Sequence, residues 1–191
     1  TPVSALIHAA TMVTAGVYLL VRCSGVILDA PAVAYNTAWI GVLTALLAGV
    51  ASLWQSNFKR GLAYSTVSQL GWMFTAVALG APFAALFHLI THAAFKAMLF
   101  LSAGTVIAAT HHEEQIDQVG GLAKKLPMAF AFFVLGTLAL IGTPLVTAGA
   151  FSKDAILEAA LASQWPFFGW LLLGGAFITG DIFNLFVFAE I

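Results

Sequence analysis

The chain has 191 residues, of which 61% are hydrophobic and only 8% are charged, and its formal net charge is −1. About 25% charged residues is usual for a soluble domain, so this composition excludes an ordinary soluble protein. The near-zero charge gives no basic surface for a nucleic-acid partner, and the single cysteine, Cys23, cannot form an internal disulfide.

Six hydrophobic segments follow one another, and each is long enough for the roughly 20-residue helix that crosses a bilayer core. They are predicted at residues 3–21, 36–54, 61–80, 83–109, 127–163 and 166–190. Helices satisfy their own backbone hydrogen bonds in lipid. The expected fold class is therefore all-α, a polytopic transmembrane helix bundle with about six membrane segments.

The fifth segment, 127–163, is too long for one plain span and contains Gly142, Thr143, Pro144 and Gly149. Proline and glycine interrupt helices, and irregular backbone at membrane depth is tolerated where protein or water covers it. We therefore expect a helix that is broken near 142–149. A hairpin of two short helices with a turn there is the simpler alternative.

Basic residues in short loops indicate how the segments are oriented. If every segment crosses once, the pairs Lys59-Arg60 and Lys124-Lys125 share one side, and Arg22 lies on the other. Four charges against one place the first group in the cytoplasm, as for a multi-pass protein of a bacterial-type cytoplasmic membrane. The chain starts at Thr1 without a basic leader region, so we expect a fragment or internal piece without a cleavable signal peptide.

The fourth segment carries three ionisable residues at helical spacing: His88, His92 and Lys96. On an α-helix they lie within roughly 80° of one another and form a polar stripe about 12 Å long. A lysine at bilayer centre costs about 2.5–3.5 kcal/mol, so such a residue normally faces a bundle interior or a wet cavity. Histidine titrates near neutral pH, and a buried lysine can also exchange protons. The stripe therefore predicts a proton relay.

Two other interpretations of this stripe are a metal site and a purely structural role. Histidines four residues apart can share a metal, but Leu89 stands where the HExxH helix has glutamate, so no metal site is expected. The three residues would alternatively only hold helices together through hydrogen bonds. Such bonds are worth about 0.6 kcal/mol on average, which is little compensation for burying a lysine.

Five further residues are weaker candidates, each with a structural alternative. His8 is either part of the relay or bonded to nearby hydroxyls. Lys153 is either a gated proton carrier beside the broken helix or one half of an interfacial pair. Asp154 would be its counter-charge or would stabilise the start of the following half-helix. Lys59 is a pathway residue or a cytoplasmic cap, and Glu190 is a buried carboxylate or the solvated end of the chain.

Several stretches resemble the antiporter-like membrane subunits of the proton-pumping NADH:quinone oxidoreductase, respiratory complex I, and above all the distal, largest one. These stretches are TPVSALIHAATMVTAGVY at 1–18, KRGLAYST at 59–66, His88 to Lys96, and Pro144 to Asp154. The resemblance covers about 1–163. This family is related to Mrp-type cation/proton antiporters.

The resemblance implies roles for the matching positions. His8, His88, His92 and Lys96 would line a central hydrophilic axis, Lys96 would pass protons sideways, and Lys153 would stand on the broken helix near an exit half-channel. Asp154 would sit beside it.

The tail departs from the family pattern. Residues 167–191 resemble the glutamate-bearing helix of an Mrp-type subunit, although in the family that helix precedes the motif at 1–18. We therefore divide the chain into 1–163, the antiporter-like bundle, and 164–191, an additional transmembrane helix out of family order.

The first hypothesis for function is proton translocation as a non-redox subunit of a proton-pumping NADH:quinone oxidoreductase. The alternative is a subunit of a Mrp-type sodium/proton antiporter. In both cases the expected partners are other membrane subunits and the lipid bilayer, and no cofactor is expected to bind to this chain.

Overall fold

The computed structural model describes residues 2–7, 11–143 and 147–176. The described residues form helices joined by short loops, with one isolated bridge between Asn57 and Gln115 and no strand. The predicted all-α fold class is confirmed. Two of the described helices, Pro31–Leu53 and Pro82–Ala109, are long and apolar enough to cross a membrane by length and composition.

The helices follow in chain order and are named α1 to α10. Four of them begin at a proline, where the missing N–H costs no hydrogen bond. The bounds are α1 Pro2–Ala5, α2 Ala15–Arg22, α3 Ser24–Leu28, α4 Pro31–Leu53, α5 Phe58–Ala78, α6 Pro82–Ala109, α7 Leu122–Lys125, α8 Pro127–Ile141, α9 Ala148–Ala162 and α10 Phe167–Gly175.

The first segment was predicted as one continuous helix over 3–21, and this is wrong. Within the described residues, α1 ends at Ala5, a turn occupies 12–14, and α2 starts only at Ala15. Thr14 Oγ1 donates a hydrogen bond to the carbonyl of Thr11. Hydroxyl side chains that bond to nearby backbone groups in this way compete with helix formation.

The second segment begins earlier than predicted, since α4 starts at Pro31 rather than near residue 36.

The predicted break in the fifth segment is present. α8 ends at Ile141 and α9 begins at Ala148, and the residues 144–146 between them lie outside the described ranges. Gly142 adopts a left-handed φ of 83°, and its N–H bonds to the carbonyl of Leu138, which ends α8 in the way glycine commonly does.

The buried apolar side chains form two clusters. The first includes Phe58 and Leu62 of α5, the C-terminal half of α6 and parts of α8. The second joins the C-terminal half of α5, from Trp72 onward, to parts of α2, α4, α6, α9 and α10. Both α5 and α6 therefore pass from one cluster to the other, and their middle turns lie at the junction.

Helices α4 and α5 cross closely, because glycines let the two backbones meet. A Cβ added at Gly71 would lie 2.5 Å from the carbonyl oxygen of Gly41 and 2.6 Å from the backbone nitrogen of Ala45. Ser68 also donates a hydrogen bond to the carbonyl of Ala45 across this contact, at 2.8 Å. Small residues thus fix the position of α5, whose middle turns carry the polar side chains described below.

We expect Gly71→Ala to destabilise the bundle by about 1–3 kcal/mol, since the added methyl group can be accommodated only by moving backbone. The matched control is Gly25→Ala in α3, where an added Cβ meets nothing within 4 Å. The unfolding midpoint in mixed micelles, followed by helical circular dichroism, measures both. Equal midpoints for Gly71→Ala and the wild-type chain would contradict the close crossing.

Candidate functional site

A polar cluster lies at the junction of the two apolar clusters, between α5, α6 and α9. We call it the junction cluster. Its members are buried, with exposed fractions of 9% or less: Ser65, Gln69, His88, Thr91, His92, Lys96, Ser152 and Lys153. Buried polar groups are costly unless they are hydrogen-bonded, so the partners of each one decide what the cluster can do.

Lys96 is fully buried in the middle of α6, and its two hydrogen-bond acceptors come from α5. Its Nζ donates to the hydroxyl of Ser65 and, at 3.3 Å, to the backbone carbonyl of Leu62. No carboxylate of the described ranges lies within salt-bridge distance of this ammonium. The lysine is therefore held by neutral oxygens, an arrangement that a neutral amine also fits.

His88 is the most completely bonded member of the junction cluster. Its Nε2 lies 2.9 Å from Gln69 Oε1 on α5, and its Nδ1 lies 2.8 Å from Ser152 Oγ on α9. Thr91, one turn further along α6, places its hydroxyl 2.9 Å from the same Ser152 Oγ. The ring thus connects the middle turns of α5 and α6 to the first turns of α9.

His92 is equally buried but differently surrounded. Among the residues that the structure describes, neither of its ring nitrogens has a hydrogen-bond partner. Its ring packs edge-on against Phe95 at 5.3 Å and stands 6.2 Å from the ring of His88, centroid to centroid. A buried imidazole without a protein partner is a natural position for an ordered water.

Lys153 reaches back from α9 to the end of α8. Its Nζ donates to the carbonyls of Leu140 and Ile141, at 2.6 and 3.2 Å, and stands 5.8 Å from the ring centroid of Trp72. The last carbonyls of a helix have no partner inside it, and the negative end of the helix dipole attracts a cation. Lys153 therefore binds together the two halves of the broken helix.

The structure brings together four of the predicted site residues: His88, His92 and Lys96 on α6 and Lys153 on α9. Two others, His8 and Glu190, lie outside the described residues.

Asp154 is exposed, because it follows Lys153 on the helix and points about 100° away from it. It lies in the second turn of α9, whose first turn holds no acidic residue, and its role stays a prediction.

Lys59 lies apart from the junction cluster, in the first turn of α5. It forms a salt bridge with Glu114 of the loop between α6 and α7, with both side chains about one-third exposed, at 36% and 38%. Asn57 caps α5 by accepting from the backbone N–H groups of Lys59 and Arg60, and its Nδ2 donates to the other Glu114 oxygen at 2.9 Å. Lys59 thus anchors the loop to the start of α5, which favours the cap interpretation.

Sequence reasoning did not identify the partners of these ionisable groups. The predicted site residues do not include Ser65, Gln69, Thr91 or Ser152. The available signal was the spacing of polar residues on α5: Ser65 and Gln69 are four apart, as are His88 and His92 on the facing helix.

Comparisons with known proteins support the family resemblance. The family model described as NADH:quinone oxidoreductase/Mrp antiporter, transmembrane, matches residues 1–179. The NADH-quinone oxidoreductase subunit L of Pseudomonas aeruginosa is 56% identical over 179 residues, which are 94% of this chain and 29% of that protein. Subunit L of Escherichia coli is 54% identical over the same shares of the two chains.

More distant proteins give the same result. The NADH-ubiquinone oxidoreductase chain 5 of Cryptococcus neoformans is 50% identical over 84% of this chain and 24% of its own length. A solved Mrp complex from Dietzia sp. superposes with a TM-score of 0.83 at 26% identity, over 92% of this chain and 33% of that one. The resemblance drawn from the sequence is confirmed, and the chain spans about 29% of the bacterial relatives it matches.

The Lys59–Glu114 contact predicts a pH-dependent contribution to stability. The hydrogen bond from Lys59, and after it that from Asn57, holds the pKa of Glu114 below its ordinary value of 4.5. The stabilisation is therefore present above that ordinary value and is lost as pH falls through the lower folded-state pKa. Glu114→Gln should lower the unfolding midpoint at pH 7, and this difference should shrink as the pH is lowered from 7 to 3.

The control for this measurement is Glu158→Gln, which removes an exposed carboxylate from α9. It should leave the midpoint unchanged at both pH values. A Glu114→Gln effect of equal size at pH 7 and pH 3 would mean that the charge of Glu114 contributes nothing.

Proposed function

Since the chain belongs to the NADH:quinone oxidoreductase/Mrp antiporter transmembrane family, we propose that it translocates protons across a membrane as part of a redox-driven pump. Lys96 and Lys153 would gain and release protons, and His88 and His92 would connect them. The chain carries out no electron transfer itself in this proposal. Its protonation steps would respond to a signal from partner subunits that hold the redox chemistry.

The burial of Lys96 carries this proposal. An ammonium with no exposed surface and only neutral acceptors pays the cost of desolvation without a carboxylate to offset it among the described residues. Nothing in packing requires such a residue, because a leucine would fill the space at lower cost. A group whose charge is so weakly compensated can lose its proton, and that loss is what a carrier needs.

Two observations bear on the choice between a redox-driven pump and a sodium/proton antiporter. The chain is 56% and 54% identical to two subunits L of NADH-quinone oxidoreductases, but 26% identical to the chain of the Mrp complex. The structural likeness to the Mrp complex keeps the antiporter as the second candidate. The higher identity favours the pump.

The same relatives suggest in which membrane the protein lies and which partners it has. We place it in the inner membrane of a bacterium, with Lys59, Arg60 and the loop before α7 on the cytoplasmic side, among other membrane subunits. The contact of Lys59 with Glu114 supports the common side, since it puts the start of α5 and this loop at one end of the bundle. Flavin, iron–sulfur and quinone chemistry would belong to the partner subunits.

We expect Lys96→Ala to lower proton pumping by about tenfold or more, since proton-transferring side chains contribute on this scale. The parent assembly carrying the variant is reconstituted in proteoliposomes, and acidification driven by NADH is followed with a pH-sensitive dye. Lys124→Ala, which removes an exposed lysine from α7, is the matched control and should pump like the unmodified assembly.

The driving force distinguishes the two candidate functions. Proton flux that needs NADH and is indifferent to sodium supports the pump, whereas sodium-dependent flux without NADH supports the antiporter. Unchanged flux of both kinds in Lys96→Ala, with the assembly intact, would overturn both and leave the junction cluster a purely structural feature.

A further inference from the structure

Ser152 occupies a position in the junction cluster that the proposed pathway does not use. It is fully buried in the second turn of α9 and has three polar atoms around its hydroxyl. These are His88 Nδ1 at 2.8 Å, Thr91 Oγ1 at 2.9 Å and the backbone carbonyl of Gly149 at 3.2 Å. A serine hydroxyl has one proton to donate and two lone pairs that accept, so it cannot donate to His88 and Gly149 at once.

Gln69 fixes which way the hydroxyl points when His88 is neutral. Its Oε1 can only accept, so the proton of the neutral ring is on Nε2. His88 Nδ1 then carries a lone pair, and Ser152 must donate to it. In this state Ser152 accepts from Thr91, and the carbonyl of Gly149 receives nothing from the serine.

Adding one proton to His88 at Nδ1 reverses this hydrogen bond. Both ring nitrogens of an imidazolium donate, so Ser152 must now accept from Nδ1. The serine keeps its own single proton. Because Thr91 donates to Ser152, the serine O–H turns by rotation toward the carbonyl of Gly149. No covalent bond of Ser152 forms or breaks, and the serine hydroxyl donates one hydrogen bond in both states.

We propose that Ser152 is a two-state hydroxyl switch, which passes the protonation state of His88 to the backbone carbonyl of Gly149 at the start of α9. This inference rests on the proposed function, because it assumes that His88 gains and loses a proton during the cycle. Ser152 is a positioning residue, since it acts through His88.

Gly149 is a sensitive place to receive such a signal. A Cβ at this position would overlap the carbonyl oxygen of Ala139, so α9 lies directly on the backbone of α8 there. Lys153, one turn later, holds the last carbonyls of α8. A change in the hydrogen bonding of the Gly149 carbonyl therefore occurs where the two halves of the broken helix are joined.

Few titratable groups lie near His88 among the described residues. On its own helix they are His92 and Lys96, and on α9 the charge nearest in sequence to Ser152 is Lys153. On α5, the residue that bonds to the His88 ring is the neutral Gln69. The described parts of α1 and α8 carry no titratable side chain. The titratable side chains of α2 are Tyr18 and Arg22, and both are exposed. A proton on His88 would thus act on Lys96 and Lys153 through electrostatic repulsion and on Ser152 through its hydrogen bond.

The test compares Ser152→Ala with Ser52→Ala in the intact, reconstituted assembly. Ser52 is a close match: it is also fully buried, and its hydroxyl also bonds to the carbonyl of a glycine three residues earlier, Gly49, but it lies on α4. We expect Ser52→Ala to pump with the unmodified rate and pH profile. Ser152→Ala should pump about tenfold more slowly, since both states of His88 lose a hydrogen bond.

The pH profile separates a switch from a packing effect. Without Ser152 the imidazolium lacks one acceptor and forms only at higher proton concentration, so the acidic limb of the pumping profile moves by about one pH unit to lower pH. Ser152→Thr, which keeps the hydroxyl, should restore both rate and profile. If Ser152→Ala does not assemble, Ser152→Cys, with a weaker donor and acceptor, should move the profile in the same direction.

Failure of this inference is distinguishable from failure of the proposed function. An unmoved profile in Ser152→Ala or Ser152→Cys, while Lys96→Ala abolishes pumping, overturns the switch and leaves the pump in place. Equal losses in Ser152→Ala and Ser52→Ala without a moved profile would also overturn it, as a packing effect. Unchanged pumping in Lys96→Ala overturns the proposed function itself.

Discussion

Burying the ammonium of Lys96 removes a positive charge from water, and the helices around it limit that cost with hydrogen bonds. Lys96 places an ammonium at the junction of two apolar clusters, where it is fully buried. The surrounding helices supply neutral oxygens for it, a hydroxyl from Ser65 and a carbonyl from Leu62. Because neutral acceptors offset only part of the cost of burying a charge, this ammonium is only partly compensated by the residues that the structure describes.

The same constraint explains how α5 and α6 are arranged. Each helix is apolar where it crosses a hydrophobic cluster and polar in the turns between, so their polar turns must face each other rather than lipid. The glycine contact between α4 and α5 fixes another face of α5 at Gly71. Packing against α4 and hydrogen bonding to α6 therefore come from different faces of one helix.

Much of this fold could be predicted from the sequence, because the strongest signals in it are local. The apolar lengths gave the helices, and Gly142 and Pro144 indicated the break. The interruption between α1 and α2 was missed because it contains neither glycine nor proline, and Thr14 competes for backbone bonds only in that local geometry. The stripe of His88, His92 and Lys96 was predicted because all three stand on one helix. Its partners could not be, since their contacts depend on how α5 and α9 pack against it.

The two carbonyls that hold Lys153 tie this side chain to the position of α8. A carboxylate follows its partner through a flexible side chain, but Leu140 and Ile141 present backbone oxygens that cannot reorient unless α8 itself moves. Electrostatic attraction falls as the atoms separate, so a small sliding of the end of α8 would weaken its attraction for the ammonium. The backbone of α8 and the charge on α9 are in this way mechanically linked.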